Sequence, residues 1–110
     1  MNQKIRILWC DKNIELFDVD VFFSGRSDLQ VITFEDTDLA LQHLEHEQNY
    51  KLIIWSNKDG VGLKVFTKLN STLRDFQFLL FTGDTYSDYG PFSIMRNFNL
   101  FYKLDRKSVV

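Results

Sequence analysis

Five short apolar runs punctuate the chain, and between them hydrophobic residues recur at helical spacing. The first run, Ile5 to Cys10 (IRILWC), is nearly continuous and stops at Asp11-Lys12-Asn13. Such a run suits a strand buried on both faces, as in a parallel sheet. Leu16, Val19, Phe22 and Phe23 then follow at helical spacing until Ser24-Gly25 breaks the pattern. Leu29 to Phe34 (LQVITF) is rich in β-branched residues and reads as a second strand. Beyond Glu35-Asp36, Thr37 is positioned to cap a helix with apolar positions Leu39, Ala40, Leu41 and Leu44. Leu52 to Trp55 is the third strand, and Leu63, Val65, Phe66 and Leu69 mark a helix with Gly62 near its start. Phe76 to Phe81 (FQFLLF) is the fourth strand. Tyr89, Phe92, Ile94, Met95 and Phe98 suggest a fourth helix, with Pro91 tolerated in its first turn. Asn99 to Leu104 (NLFYKL) closes the series as a fifth strand.

Strict alternation of strand and helix predicts a doubly wound parallel sheet with helices on both faces. Right-handed crossovers restrict such a sheet to a few topologies. Only DRKSVV follows the fifth strand, too little for a fifth helix. The expectation is either a piece of a longer protein or a surface covered by a partner or a second copy.

Composition narrows the function classes. A chain of 110 residues that is 45% hydrophobic and 25% charged matches one folded domain, here 1–110, rather than a disordered tail. Eleven Phe, four Tyr and two Trp give it a bulky core. The formal net charge is -2 with scattered Lys and Arg, so no concentrated basic face points to nucleic acid. The lone cysteine, Cys10, cannot form an internal disulfide, and no run is long enough for a membrane span or signal peptide. A cytoplasmic setting without membrane contact is expected.

The residues at the carboxyl ends of the predicted strands carry the candidate chemistry, because ligands of open α/β sheets bind there. They are Asp11 and Lys12, Ser56, Thr82, and Lys103. In order and spacing, ILWCDKN, LIIWSN, FLLFTG and LFYKL resemble the first, third, fourth and fifth strands of response-regulator receiver domains. FEDTDLALQHL and GLKVFTKL are similar to the second strand-to-helix junction and third helix of that family. The resemblance implies a receiver-like (flavodoxin-like) three-layer fold with a truncated or missing fifth helix. In the family an acidic pair holds Mg²⁺, an aspartate accepts a phosphoryl group, and a Thr or Ser and a Lys contact the phosphoryl oxygens. Phosphoryl transfer of this kind needs an anionic nucleophile in line and cations around the equatorial oxygens.

Carried over residue by residue, the set is incomplete. Asp11 matches the first acid, but Lys12 stands at the second. Ser56 occupies the acceptor position, and Thr82 and Lys103 match the two phosphate-contacting positions. Leu104 replaces the usual proline after the lysine, the aromatic switch position falls on Leu100 beside Phe101 and Tyr102, and the loop after Ser56 is shorter than usual. A serine hydroxyl is a weak nucleophile without a base, and a lysine in the metal pocket opposes Mg²⁺ while offering Asp11 an ion pair. The expected reading is a degenerate phosphorylation pocket without metal or cofactor. It belongs to a pseudo-receiver that acts as a protein–protein interaction or dimerisation module, not an enzyme, in signal transduction or transcriptional regulation. Its partner, a second copy or an output domain in a longer chain would meet the fourth-helix and fifth-strand surface, with Tyr86, Tyr89, Phe92 and Phe101 as interface candidates.

Two alternatives stay open. One is a divergent receiver that phosphorylates Asp59 or Asp11; the other is a small-molecule-binding α/β domain. KDGVG lacks the spacing of a glycine-rich phosphate loop. His43 and His46, with Glu47, share a helix face but read as solvated surface rather than metal ligands.

Overall fold

Apolar continuity in three of the runs has a direct structural counterpart. A computed structural model describes residues 4–23, 25–73, 75–82 and 97–102. Its strands are β1 (Ile5–Cys10), β2 (Leu29–Phe34), β3 (Leu52–Ser56), β4 (Gln77–Thr82) and β5 (Phe98–Tyr102). All pair in parallel in the order β2-β1-β3-β4-β5. The fold is therefore α/β with a five-stranded parallel sheet, in the strand order of flavodoxin-like folds. β1 and β3 lie inside the sheet and are buried along most of their length, whereas the outer strand β2 leaves Gln30 and Thr33 exposed.

Side chains alternate across the sheet and build two cores. On one face Leu8, Cys10, Ile53, Trp55, Phe78 and Leu80 pack against α2 (Thr37–His46) and α3 (Val61–Thr72). Ala40 and Leu44 come from α2, and Val65, Phe66 and Leu69 from α3. On the other face Ile7, Trp9, Ile54 and Phe81 meet Ile14, Phe17, Val19 and Phe23. Right-handed crossovers account for this division, since β1 to β2 and β2 to β3 run in opposite directions across the sheet. Each large apolar side chain buried here contributes about 1.5–3 kcal/mol. Trp9 and Trp55 sit on opposite faces, both at most 1% exposed. Trp9 is surrounded by the rings of Phe17, Phe22, Phe23 and Phe81, with centroids 4.9 to 6.1 Å away.

The first predicted helix is broken in two. A 3-10 turn, Ile14–Leu16, is followed by α1 (Val19–Phe22), a single turn. Asp18 divides them by accepting a hydrogen bond from the Val21 N–H at 3.1 Å, as an N-cap does. The cap of α2 is likewise Asp36, which accepts from the Leu39 N–H at 3.0 Å, and Thr37 is the first helical residue rather than the cap. Thr37 instead accepts a hydrogen bond from Trp55 Nε1 at 3.2 Å. Phe98, assigned by periodicity to a fourth helix, begins β5 opposite Phe78 and packs its ring on Phe66. The rest of that predicted helix, and Lys103-Leu104 of the predicted fifth strand, lie outside the described residues. No helix among the described residues is long and apolar enough to cross a membrane.

Candidate functional site

The chain leaves β1 toward β2 on one side and leaves β3 toward β4 on the other, so the sheet's switch point lies between β1 and β3. Cys10 pairs with Trp55 there, which brings Asp11 and Ser56 to the same end of adjacent strands. A cleft of about 370 Å³ opens at this point, and Asp11, Lys12, Ser56 and Asp59 all line it. Glu35, Asp36 and Thr37 from the β2–α2 junction, together with Lys58, complete its polar wall. Cys10, Trp55 and Val61 supply the apolar part.

Asp11 is only 6% exposed. Its Oδ1 accepts the Asn13 N–H at 2.8 Å, and its carbonyl accepts the Ile14 N–H at 3.0 Å. The side chain thus closes the turn that leads out of β1, as aspartates do when they bond the backbone two residues on. Lys12, one residue later, is exposed. The ion pairs among the described residues are Arg6–Glu47 and Arg26–Asp28, so the expected Asp11–Lys12 pair is not formed. Consecutive residues leaving a strand point in different directions, and the turn has already taken one carboxylate oxygen.

Ser56 is half-buried at the tip of β3. The connection from it to α3 is tight because Asp59 and Gly60 both adopt left-handed conformations, with φ of 58° and 76°. Aspartate and glycine tolerate that region best. Asp59 is exposed on the rim of the cleft.

The residue that organises this loop is Asn57, which was not among the sequence candidates. It is 4% exposed, and its Oδ1 accepts the Leu63 N–H at 3.0 Å. Its carbonyl accepts the Gly60 N–H at 3.1 Å, and its own N–H donates to the Phe81 carbonyl at 3.0 Å. One side chain and one peptide unit therefore tie β3, β4 and the start of α3 together. An Asn just past an apolar run and before Lys-Asp-Gly was the available signal. Gly62 completes the arrangement. A Cβ there would lie 2.4 Å from Leu80 Cδ1 and 3.1 Å from the Ser56 carbonyl oxygen.

Thr82 ends β4, one residue beyond the Phe81 that pairs with Ser56; its side chain lies outside the described residues. Phe101 pairs in register with Phe81, again with only its backbone described. Lys103, Tyr86, Tyr89 and Phe92 lie outside the described residues.

Chemically, the cleft offers carboxylates, two ammonium groups and the hydroxyls of Thr37 and Ser56. It has no histidine among its described lining residues to serve Ser56 as a base. Among the described residues no three His, Cys, Asp or Glu side chains are grouped to hold a metal ion. Burial, with smaller contributions from Asp11 and Asp36, pushes the Cys10 thiol up to about 12 despite its contact with Thr37, so it is not a nucleophile at neutral pH. His43 lies elsewhere on α2, 2.6 Å through Nε2 from the Tyr50 hydroxyl, which also accepts from Arg6 at 3.0 Å. Glu47 pairs with the same Arg6 at 3.3 Å, so the half-buried His43 joins Glu47 in one network through Tyr50 and Arg6, whereas His46 is exposed.

No protein-family model matches the sequence and no curated protein matches it.

Proposed function

We propose that this chain is a receiver-like domain that has lost phosphotransfer and works as a protein–protein interaction module in signalling or transcriptional control. The observation that carries the reading is a serine, not a carboxylate, at the tip of β3, facing the switch-point cleft beside Asp11. An aspartate there would form an acyl phosphate, whose reactivity drives a switch; a serine ester lacks that reactivity and needs a base to form. Two further features support it. Asp11 spends one oxygen on its own turn, and Lys12 replaces the acid that would share a divalent cation. Regulation would then come from binding equilibria rather than covalent phosphate. The segment leading into β5, together with β5 itself, is the partner surface in this reading, with Phe101 paired to Phe81 at its inner edge.

A second reading, phosphorylation of Asp59, is favoured by one observation: its exposed place on the rim of the same cleft. Intact-mass measurement after incubation with a small phosphoramidate and Mg²⁺ separates the two. A conventional receiver labelled in parallel serves as the control. The expected result is an unchanged mass for this chain. A stable gain of one phosphoryl group would overturn the proposal, and mapping would then decide between Asp59 and Asp11.

A further inference from the structure

A second recess, a shallow groove of about 650 Å³, is lined by the 3-10 turn, the start of α1 and the carboxyl end of β2. Its apolar residues are Ile14, Leu16, Phe17 and Val19. Its charged residues are Glu15, Asp18, Asp20 and Glu35, with no lysine or arginine among them. In a chain whose net charge is only -2, four carboxylates around one groove are a concentration, not an average. All four residues are exposed, and none takes part in the ion pairs found among the described residues. Asp18 keeps its role as the cap of α1 through one oxygen.

The apolar side of the groove is unusual in the same place. Leu16 is 77% exposed, the largest value among the exposed large hydrophobics of the described residues, and Val21 on α1 follows at 71%. The groove also continues. Val19, Asp20 and Thr33 line a neighbouring recess of about 320 Å³ whose wall includes Phe23, Leu29 and Val31, and whose one cation, Arg26, is already paired with Asp28. Together the recesses follow β2, which ends the described sheet on that side.

We propose that this groove receives an extended segment of a partner protein that combines apolar side chains with lysine or arginine. The apolar groups would settle against Leu16, Phe17 and Val19, and the cations against the carboxylate rim. Apolar anchors supply most of the affinity of such contacts, while complementary rim charge steers encounter and rejects wrong partners. Nucleic acids and anionic membranes are excluded by the same rim, which repels phosphate. The inference goes beyond the loss of phosphotransfer and does not depend on it, because the groove lies outside the Ser56 cleft except for the shared Glu35.

The test uses the full chain and a short fluorescent peptide of alternating leucine and lysine, with a leucine–glutamate twin as control, followed by anisotropy. Saturable binding of the lysine peptide alone is expected, weakening as salt shortens the screening length from about 10 Å at 0.1 M to 3 Å at 1 M. Reversing Glu15 and Asp20 together to Lys should weaken it roughly tenfold. Reversing Asp38 and Glu45, exposed acids of α2, should leave it unchanged. Leu16→Ser should weaken binding at constant charge, and because Leu16 is so exposed the variant keeps its fold, checked by circular dichroism. No binding, equal losses for both charge reversals, or indifference to Leu16→Ser would each overturn the proposal.

Discussion

Replacing Gly62 by alanine sets two effects of known sign against each other. In a helix interior, alanine is favoured over glycine by about 1 kcal/mol. At Gly62, however, the added methyl would stand 2.4 Å from Leu80 Cδ1, 3.1 Å from the Ser56 carbonyl oxygen and 3.2 Å from Asn57 Cα. Leu80 Cδ1 is the end of a side chain that can rotate, but Leu80 is fully buried in the core it shares with Val65, Phe66 and Leu69, which limits the room for it to do so. The other two contacts are backbone, fixed by the hydrogen bonds of Asn57. Overpacking of this sort costs about 1–3 kcal/mol, and a displacement of a whole ångström in a fully buried site belongs at the upper end. The net expectation is a loss of about 2 kcal/mol, equivalent to roughly 8–16 °C in Tm for a domain of this size. Urea unfolding followed by circular dichroism measures it. Leu80→Val removes the clashing methyl, so in a double-mutant cycle the two losses should fall short of additive by about 1 kcal/mol. A Gly62→Ala variant as stable as the parent, or a strictly additive cycle, would refute the close approach of α3 to the β3 tip.

Two further outcomes follow from the same region. Asn57→Ala leaves the Leu63 N–H without its acceptor in a buried loop, at a cost of about 1–3 kcal/mol; urea titration should register it, and faster amide exchange at Leu63 should accompany it. Cys10, held protonated by burial with its pKa pushed up to about 12, should resist iodoacetamide at pH 8 in the native protein and react readily in denaturant. Because the folded pKa lies above the unfolded value, the associated stability is fully present below about pH 9 and is lost as pH rises toward 12. Stability that is flat across that alkaline range in the parent but not in Cys10→Ala would contradict the assignment.

How much of this was readable in advance depended on whether the decisive interactions were local. β1 and β2 were legible to the residue, because uninterrupted or β-branched apolar runs have few other uses in a chain this short. The first helix was not, because Leu16, Val19, Phe22 and Phe23 satisfy helical spacing while Asp18 withdraws to cap a single turn. Phe98 misled in the opposite direction: its spacing continues a helical series, but its partner, Phe78, lies on a neighbouring strand. In the cleft, the convergence of Asp11, Lys12, Ser56 and Asp59 follows from strand order, which alternation narrowed to a few topologies and the resemblance to receiver domains singled out. The role of Asn57 did not follow, since both its side-chain and backbone bonds reach residues that only the folded β3–α3 junction brings near. The absent Asp11–Lys12 pair has the same origin, because the carboxylate's preference for the Asn13 amide is a matter of turn geometry, not of charge.

The two indoles on opposite faces give the molecule a built-in pair of optical labels. Trp55 lies beneath α2 and α3, its N–H engaged by Thr37, while Trp9 lies beneath the short α1 segment, its Nε1 without a hydrogen-bond partner among the described residues. Emission from the first registers the helical layer over the cleft. Emission from the second registers the aromatic layer under the acidic groove. Variants retaining one indole each would let the two halves of the sandwich be watched independently, so that an event confined to one surface is seen as a spectral change in one variant and silence in the other.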